Sequence, residues 1–333
     1  MALRRTANDG IEALVFVIGA LAPDRSGMDA DTRGEKLLGE AFDRVRLSPE
    51  ASAPWHGLLQ AYDAVDDPAL RARTQRKVAD QAPTDGVAGF LRASFLSGLE
   101  DGDAFAAEAG AALQAIRPVD LDRLMAFAGY EWGRAVAREG GRARFARRLI
   151  ATRLPELMVL AGEVLTEDAV DLPVRPIDGV KRVALVTPFL SFAGHPPTVL
   201  ALKQAGLLQA AGLTVKAFAC QEPLIAGMRD YLGNRGEIIA APPDLRDLAA
   251  LAPAGLTLSL GDAAFPLHHR WRETLRDIGE FDPDLILFVG LFSPLIAPLY
   301  KVRPVLGLSI HAVTPMAPVD AWLTSDPHLA DRA

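Results

Sequence analysis

Between residues 32 and 165 the apolar side chains recur every three or four positions, as in GEKLLGEAFDRV, WHGLLQAYDAV and GVAGFLRASFLSGL, with no stretch of strict alternation. That spacing predicts helices throughout. From residue 181 the pattern changes to short, nearly continuous apolar runs separated by helical stretches. The runs RVALVT, LTVKAFAC, LTLSL, DLILFVG, PVLGLS and AWLTS read as strands. Residues 195–211 read as an amphipathic helix ended by Gly212, with further helices around HHRWRETLRDIG and from Pro294 to Lys301. Strands that are apolar on both sides and linked by helices predict a parallel sheet covered on both faces. The fold class is therefore α plus α/β, a helical domain followed by a Rossmann-like parallel sheet.

The helical half is punctuated by Pro49-Glu50, Pro83-Thr84-Asp85 and Pro118-Val119-Asp120, whose prolines stand 34 and 35 residues apart. This is the period of the tetratricopeptide repeat, a stacked helix pair. Trp55, Leu58 and Tyr62 in WHGLLQAY resemble the pattern on that repeat's first helix, whereas Gly89 and Leu124 stand where later copies should carry Trp. A helical bundle with evenly spaced loops is the other reading. The domain limits expected are a partly disordered leader at 1–30, a helical domain of tetratricopeptide type at 31–165, a linker at 166–180, and the sheet domain at 181–333. The linker TEDAVDLPVRPIDGV carries acids and prolines and no apolar stripe.

Composition changes this picture little. The chain is long enough for two domains, is half apolar and 23% charged, and so reads as globular rather than disordered. Its net charge of −7 gives no general affinity for nucleic acid or an anionic membrane. Near the amino terminus, EALVFVIGALAP has the look of a secretory signal, but Asp9 and Glu12 interrupt it, and a bilayer span needs about 20 apolar residues. One cysteine, Cys220, forms no internal disulfide, and without a Cys/His cluster no metal site is expected. A reducing, cytoplasmic compartment follows. The arginines between Arg134 and Arg153, among them Arg147 and Arg148, offer a surface for an acidic partner, or form a solvated helix face.

Candidate chemistry is narrowed by what the motifs lack. The loop after the first strand, PFLSFAGHPPT, is neither a dinucleotide fingerprint nor a phosphate loop, and no GxSxG elbow occurs. Cys220 reads as a small buried hydrophobe. His268 and His269 are adjacent on a helix, point about 100° apart, and belong on its surface. Asp282 and Asp284 precede a strand, where turn and capping duties prevail. What remains is His195, with Ser191 and Thr198 close by, and His311 in LGLSIHAVTP. Both histidines follow the carboxyl ends of strands, the rim where open α/β sheets bind ligands. Pro196 and Pro197 also suit a first helical turn, so His195 either starts a helix or moves a proton.

Taken in order, VALVTPFLSFAGHPPT and FDPDLILFVGLFSPLIAPLYKVRPVLGLSIHAVTPMAPVDAWLTSD resemble the O-GlcNAc transferases, which join tetratricopeptide repeats to a two-halved GT-B glycosyltransferase. The resemblance covers the second half of the chain. It implies that the sheet is the amino-terminal, acceptor-side half of such a fold, that His195 is an active-site histidine, and that Arg303-Pro304 is a structural joint. Ser191, Thr198 and His311 would line the acceptor crevice, although His311 stands where relatives carry other residues. The implied activity is transfer of a sugar from a nucleotide donor to a protein or peptide held by the helical repeats. Nothing resembling a donor-binding half follows, so no cofactor is expected on this chain, little transfer is expected from it alone, and a separate or missing donor domain is implied. The other functional reading is a non-catalytic interaction scaffold, and a third is a flavodoxin-like ligand-binding domain with a helical adaptor.

Overall fold

The computed structural model describes residues 30–83, 85–99, 102–115, 121–136, 141–166, 173–174, 179–222, 232, 243–308 and 317–323. All but the last residue of the expected leader and most of the expected linker lie outside them. The described residues form an all-helical region and a six-stranded parallel sheet with its own helices, which is the expected α plus α/β class. Contacts divide the chain into two compact units. Among the described residues, no helix is long and apolar enough to cross a membrane.

The helical unit contains α1 (Ala30–Leu47), α2 (Ser52–Ala64), α3 (Pro68–Ala79), α4 (Gly86–Ser97), a 3-10 turn at Gly102–Phe105, α5 (Ala106–Ala115), α6 (Leu121–Val136) and most of α7 (Gly141–Thr152). Helices α2, α4 and α6 each begin three residues after Pro49, Pro83 or Pro118, and the first two intervals each hold two helices. Side-chain caps explain the starts of α3 and α4. Asp67 accepts from the Ala69 N–H at 2.8 Å, and Asp85 accepts from the Ala88 N–H at 2.7 Å. Trp55 is buried, its indole N–H donates to the Pro49 carbonyl at 2.8 Å, and its ring lies 5.8 Å from that of Phe95. The arginine run is not uniformly a solvated face. Arg147 is exposed, but Arg148 is buried in an ion pair with buried Glu131, whose Oε1 also accepts from Ser97 at 3.0 Å.

The sheet unit runs β1 (Arg182–Thr187), α9 (Pro196–Ala210), β2 (Thr214–Ala219), α10 (Leu245–Leu251), β3 (Thr257–Leu260), α11 (Leu267–Phe281), β4 (Leu285–Val289), α12 (Ile296–Tyr300), β5 (Val305–Leu308) and β6 (Ala321–Leu323). All pairings are parallel, in the order β3-β2-β1-β4-β5-β6. The runs expected as strands thus form one parallel sheet. Strand order reverses between β1 and β4, the switch point of a doubly wound sheet. In register, Val183 pairs with Val215 on one side and with Leu285 on the other. One face carries Val183, Leu185, Ala217 and Leu287 against Ala201, Leu202 and Ala205 of α9. The alternate residues Ala184, Val186, Phe218 and Ile286 are equally buried, and Phe218 meets Phe281 of α11 at 5.9 Å.

Helix α8 (Leu154–Thr166) packs with the sheet unit, although its periodicity continues that of the helices before it. A Cβ added at Gly162 would stand 2.5 Å from the Pro294 carbonyl and 2.6 Å from Ala297 Cβ, so this glycine lets α8 lie close to α12. Two acids and two arginines close the amino end of the sheet. Asp284 Oδ2 accepts from the N–H groups of Lys181 and Arg182 at 2.9 and 2.8 Å. Asp282 ends α11 in the left-handed region, and its carboxylate receives Arg182 and Arg303, each at 2.8 Å.

Candidate functional site

The loop that leaves β1 ends at His195, the N-cap of α9. Pro196 and Pro197 occupy the first helical positions, where a missing N–H is harmless, and the ring itself caps the turn. Nδ1 accepts from the Thr198 N–H at 3.3 Å and lies 2.8 Å from Thr198 Oγ1. A ring nitrogen that accepts from a backbone N–H carries no proton, so the neutral imidazole holds its proton on Nε2. Thr198 Oγ1 in turn accepts from the Ser191 N–H at 3.0 Å. His195, Thr198 and Ser191 are therefore brought together as one hydrogen-bonded group. The imidazole is 5% exposed and stacks on Phe189 with centroids 4.7 Å apart. His311 lies outside the described residues.

A second group stands at the end of β2 and was not singled out in the sequence. Glu222 is fully buried, and its Oε1 receives three donors: the Trp271 indole N–H at 3.0 Å, the Cys220 thiol at 3.3 Å and the Ser293 hydroxyl. These come from α11, the end of β2 and the loop after β4. Burial lifts the Glu222 carboxyl to about 7, against hydrogen bonds from Ser293, Trp271 and Cys220 and the charge of Arg270, all of which lower it. Burial also raises the Cys220 thiol well above its ordinary value, and Glu222 raises it further. Cys220 is thus a buried, protonated thiol, as its setting in an apolar strand implies, with the added duty of donating to Glu222.

The segment carrying Glu222 is held from several sides. Arg270 is 1% exposed and donates to the carbonyls of Cys220, at 3.0 Å, and of Gln221. Gln221 has φ +59, in the left-handed region, and its side chain donates to the Leu190 carbonyl at 3.0 Å. The Glu222 N–H donates to the Pro188 carbonyl at 2.9 Å. The loops after β1 and β2 are therefore stitched to each other. At the switch point itself a Cβ on Gly290 would lie 2.9 Å from Pro188 Cδ and 2.7 Å from Phe288 Cζ, so the β4 loop closes directly onto the β1 loop. His268 is exposed, and His269 is half-buried with its ring 4.8 Å from Phe265.

The signal for Glu222 was present in ACQEP, an acid just past the carboxyl end of a strand, which is the rule that drew attention to His195. Chemically, the rim offers a hydroxyl, a carboxyl that titrates near neutrality and an imidazole engaged through Nδ1.

No family model matches the sequence, and no curated protein matches it significantly. Among solved structures, a mutant of the O-GlcNAc transferase of Thermobaculum terrenum is similar at 15% identity and a TM-score of 0.36, covering 91% of this chain and 51% of that one. The chain spans about half the length of that protein.

Proposed function

We propose that the sheet unit is the acceptor-side half of a glycosyltransferase of the O-GlcNAc transferase type, passing a sugar from a nucleotide donor to a protein side chain. The observation that carries this reading is the position of the His-Pro-Pro loop. It leaves β1 at the point where strand order reverses, on the rim where open α/β sheets take ligands. In this reading the helical unit is of tetratricopeptide type and holds the polypeptide acceptor, with Ser191, Thr198 and His311 on the acceptor side. The proline spacing and the two helices in each of the first two intervals support it. A cytoplasmic location belongs to the same reading. The described residues contain one Rossmann-like sheet, so transfer requires a donor-binding half in addition. That half would supply the positive charge or backbone amides for the departing diphosphate.

The test is incorporation of labelled sugar into protein by the full-length gene product, offered a panel of nucleotide sugars and peptide acceptors. Incorporation that falls more than about tenfold in His195→Ala, with folding intact, is the expected result. No incorporation from any donor would sink the reading. The burial of His195 and its capping bond favour the other reading, a non-catalytic scaffold in which the histidine only starts α9. That reading expects no transfer and retained binding of a protein partner.

A further inference from the structure

Among the described residues of the sheet unit, two buried side-chain polar atoms have no hydrogen-bond partner, Ser191 Oγ and Glu222 Oε2. Both residues follow the carboxyl end of a strand, one after β1 and one after β2. The backbone of Ser191 is fully committed, and the Glu222 N–H is taken by the Pro188 carbonyl. Ser191 donates its N–H to Thr198 and accepts at its carbonyl from the Asp244 N–H at 3.1 Å, while its hydroxyl is idle. Glu222 gathers three donors on Oε1 and none on Oε2. Buried polar atoms are nearly always paired, and two exceptions on adjoining, stitched loops of the ligand-binding rim call for a shared cause. Gln221, in the left-handed region between them and pinned by Leu190 and Arg270, adds backbone strain of the kind kept at ligand sites.

We propose that Ser191 Oγ and Glu222 Oε2 form a recognition site for the aliphatic hydroxyl of a small ligand, a sugar or a serine or threonine side chain. A hydroxyl both donates and accepts, as Ser191 does. It also suits Glu222 in either protonation state, which matters because burial brings that carboxyl to about 7. A phosphate is a poor match, since it accepts but is anionic and would meet a desolvated carboxylate. An ammonium group suits only the ionised carboxylate and offers Ser191 no acceptor. The facing charged and titratable groups are already engaged: Arg270 with the carbonyls of Cys220, Gln221 and Phe265, and the Cys220 thiol with Glu222. Both atoms are closed to solvent. This assignment deepens the reading above, in which Ser191 lies on the acceptor side, and the binding test below is read separately from transfer.

Saturation-transfer NMR on the full chain tests it, with N-acetylglucosamine and N-acetylserine amide as probes and N-acetylalanine amide and pyrophosphate as controls. One hydroxyl probe is expected to saturate and the controls are not; which one does so distinguishes a sugar from a side chain. Ser191→Ala and Glu222→Gln should each weaken that probe about tenfold or more with unchanged circular dichroism. A readout free of substitutions is the Trp271 indole N–H resonance, which should move as the probe saturates because that group donates to Glu222. The proposal is overturned if neither hydroxyl probe saturates, if pyrophosphate binds equally well, if both variants bind like the native chain, or if the indole resonance stays still at saturation.

Discussion

The two ends of the same sheet treat polar groups in opposite ways. At the amino ends, Asp282 lies between Arg182 and Arg303, and Asp284 takes two backbone N–H groups. Buried Arg303 also donates to the Pro283 carbonyl at 2.6 Å, the Val302 carbonyl at 2.7 Å and the Pro173 carbonyl. At the carboxyl ends, a carboxyl and a hydroxyl are buried with one polar atom each unpaired, and a glutamine sits in the left-handed region. Paired charge fixes the strands, whereas unpaired polarity is what a ligand can complete. The amino end reads as the joint of the unit, and in the function proposed above the carboxyl end is its working face.

The sharpest way to break this contrast is at Arg303. Replacing it with Met keeps apolar bulk but removes the donor that Arg303 supplies to three carbonyls and leaves Asp282 with one of these two arginines. A loss of about 3 kcal/mol or more in urea unfolding is expected, the range for removing one partner of a buried charged network. A loss below about 1 kcal/mol would show that the amino end is not the joint.

Glu222 comes next, and its effect depends on pH. Its carboxyl ionises near 4.5 in the unfolded chain and near 7 in the fold, so the folded state binds the extra proton between those values. Stability contributed by the neutral carboxyl is complete below the lower value and is lost as pH rises towards the upper one. The loss is at most about 3 kcal/mol, set by the separation of the two values. Glu222→Gln cannot ionise, so its stability relative to the native chain should climb from pH 5 to pH 8, measured as denaturation midpoints. Parallel profiles for the two proteins would mean that Glu222 does not titrate in this range.

Much of the fold was legible because the strands are short apolar runs and the helices amphipathic, and the limits of β1, β4 and α9 fall within a residue or two of those runs. Asp282 and Asp284 were readable as turn and capping groups from their place before a strand. The order of the strands was not legible, since periodicity says which segments are strands and not which of them pair. Helix α8 shows the same limit, because an apolar stripe does not name the core that it faces. Glu222 escaped for a related reason. Its partners Trp271 and Ser293 lie 49 and 71 residues further along, and a carboxylate becomes unusual only once they have closed around it. Ser191 was singled out as a neighbour of His195, yet its idle hydroxyl is visible only when its backbone partners are known.

A backbone test of the carboxyl end is Gly290→Ala. The added methyl would meet Pro188 and the Phe288 ring within 3 Å, so the β4 and β1 loops would have to part. A loss of about 1–3 kcal/mol in unfolding free energy is expected, as for overpacking elsewhere. If the change is neutral, the two loops have room at the switch point that the close approach denies.

The smallest expected effect separates structure from chemistry at His195. Its Nδ1 holds the first turn of α9 through the Thr198 N–H, so His195→Ala should lower stability by about 1 kcal/mol, the usual magnitude for a lost N-cap. Asparagine places a side-chain oxygen where it can accept the same N–H, and His195→Asn should recover most of that loss in a thermal melt. The pair of variants then reads the function directly. If sugar transfer by the full-length protein returns with asparagine, the imidazole serves only as a cap and the transferring chemistry lies elsewhere on the rim. If stability returns while transfer stays depressed by more than about tenfold, the ring acts in the reaction beyond its cap.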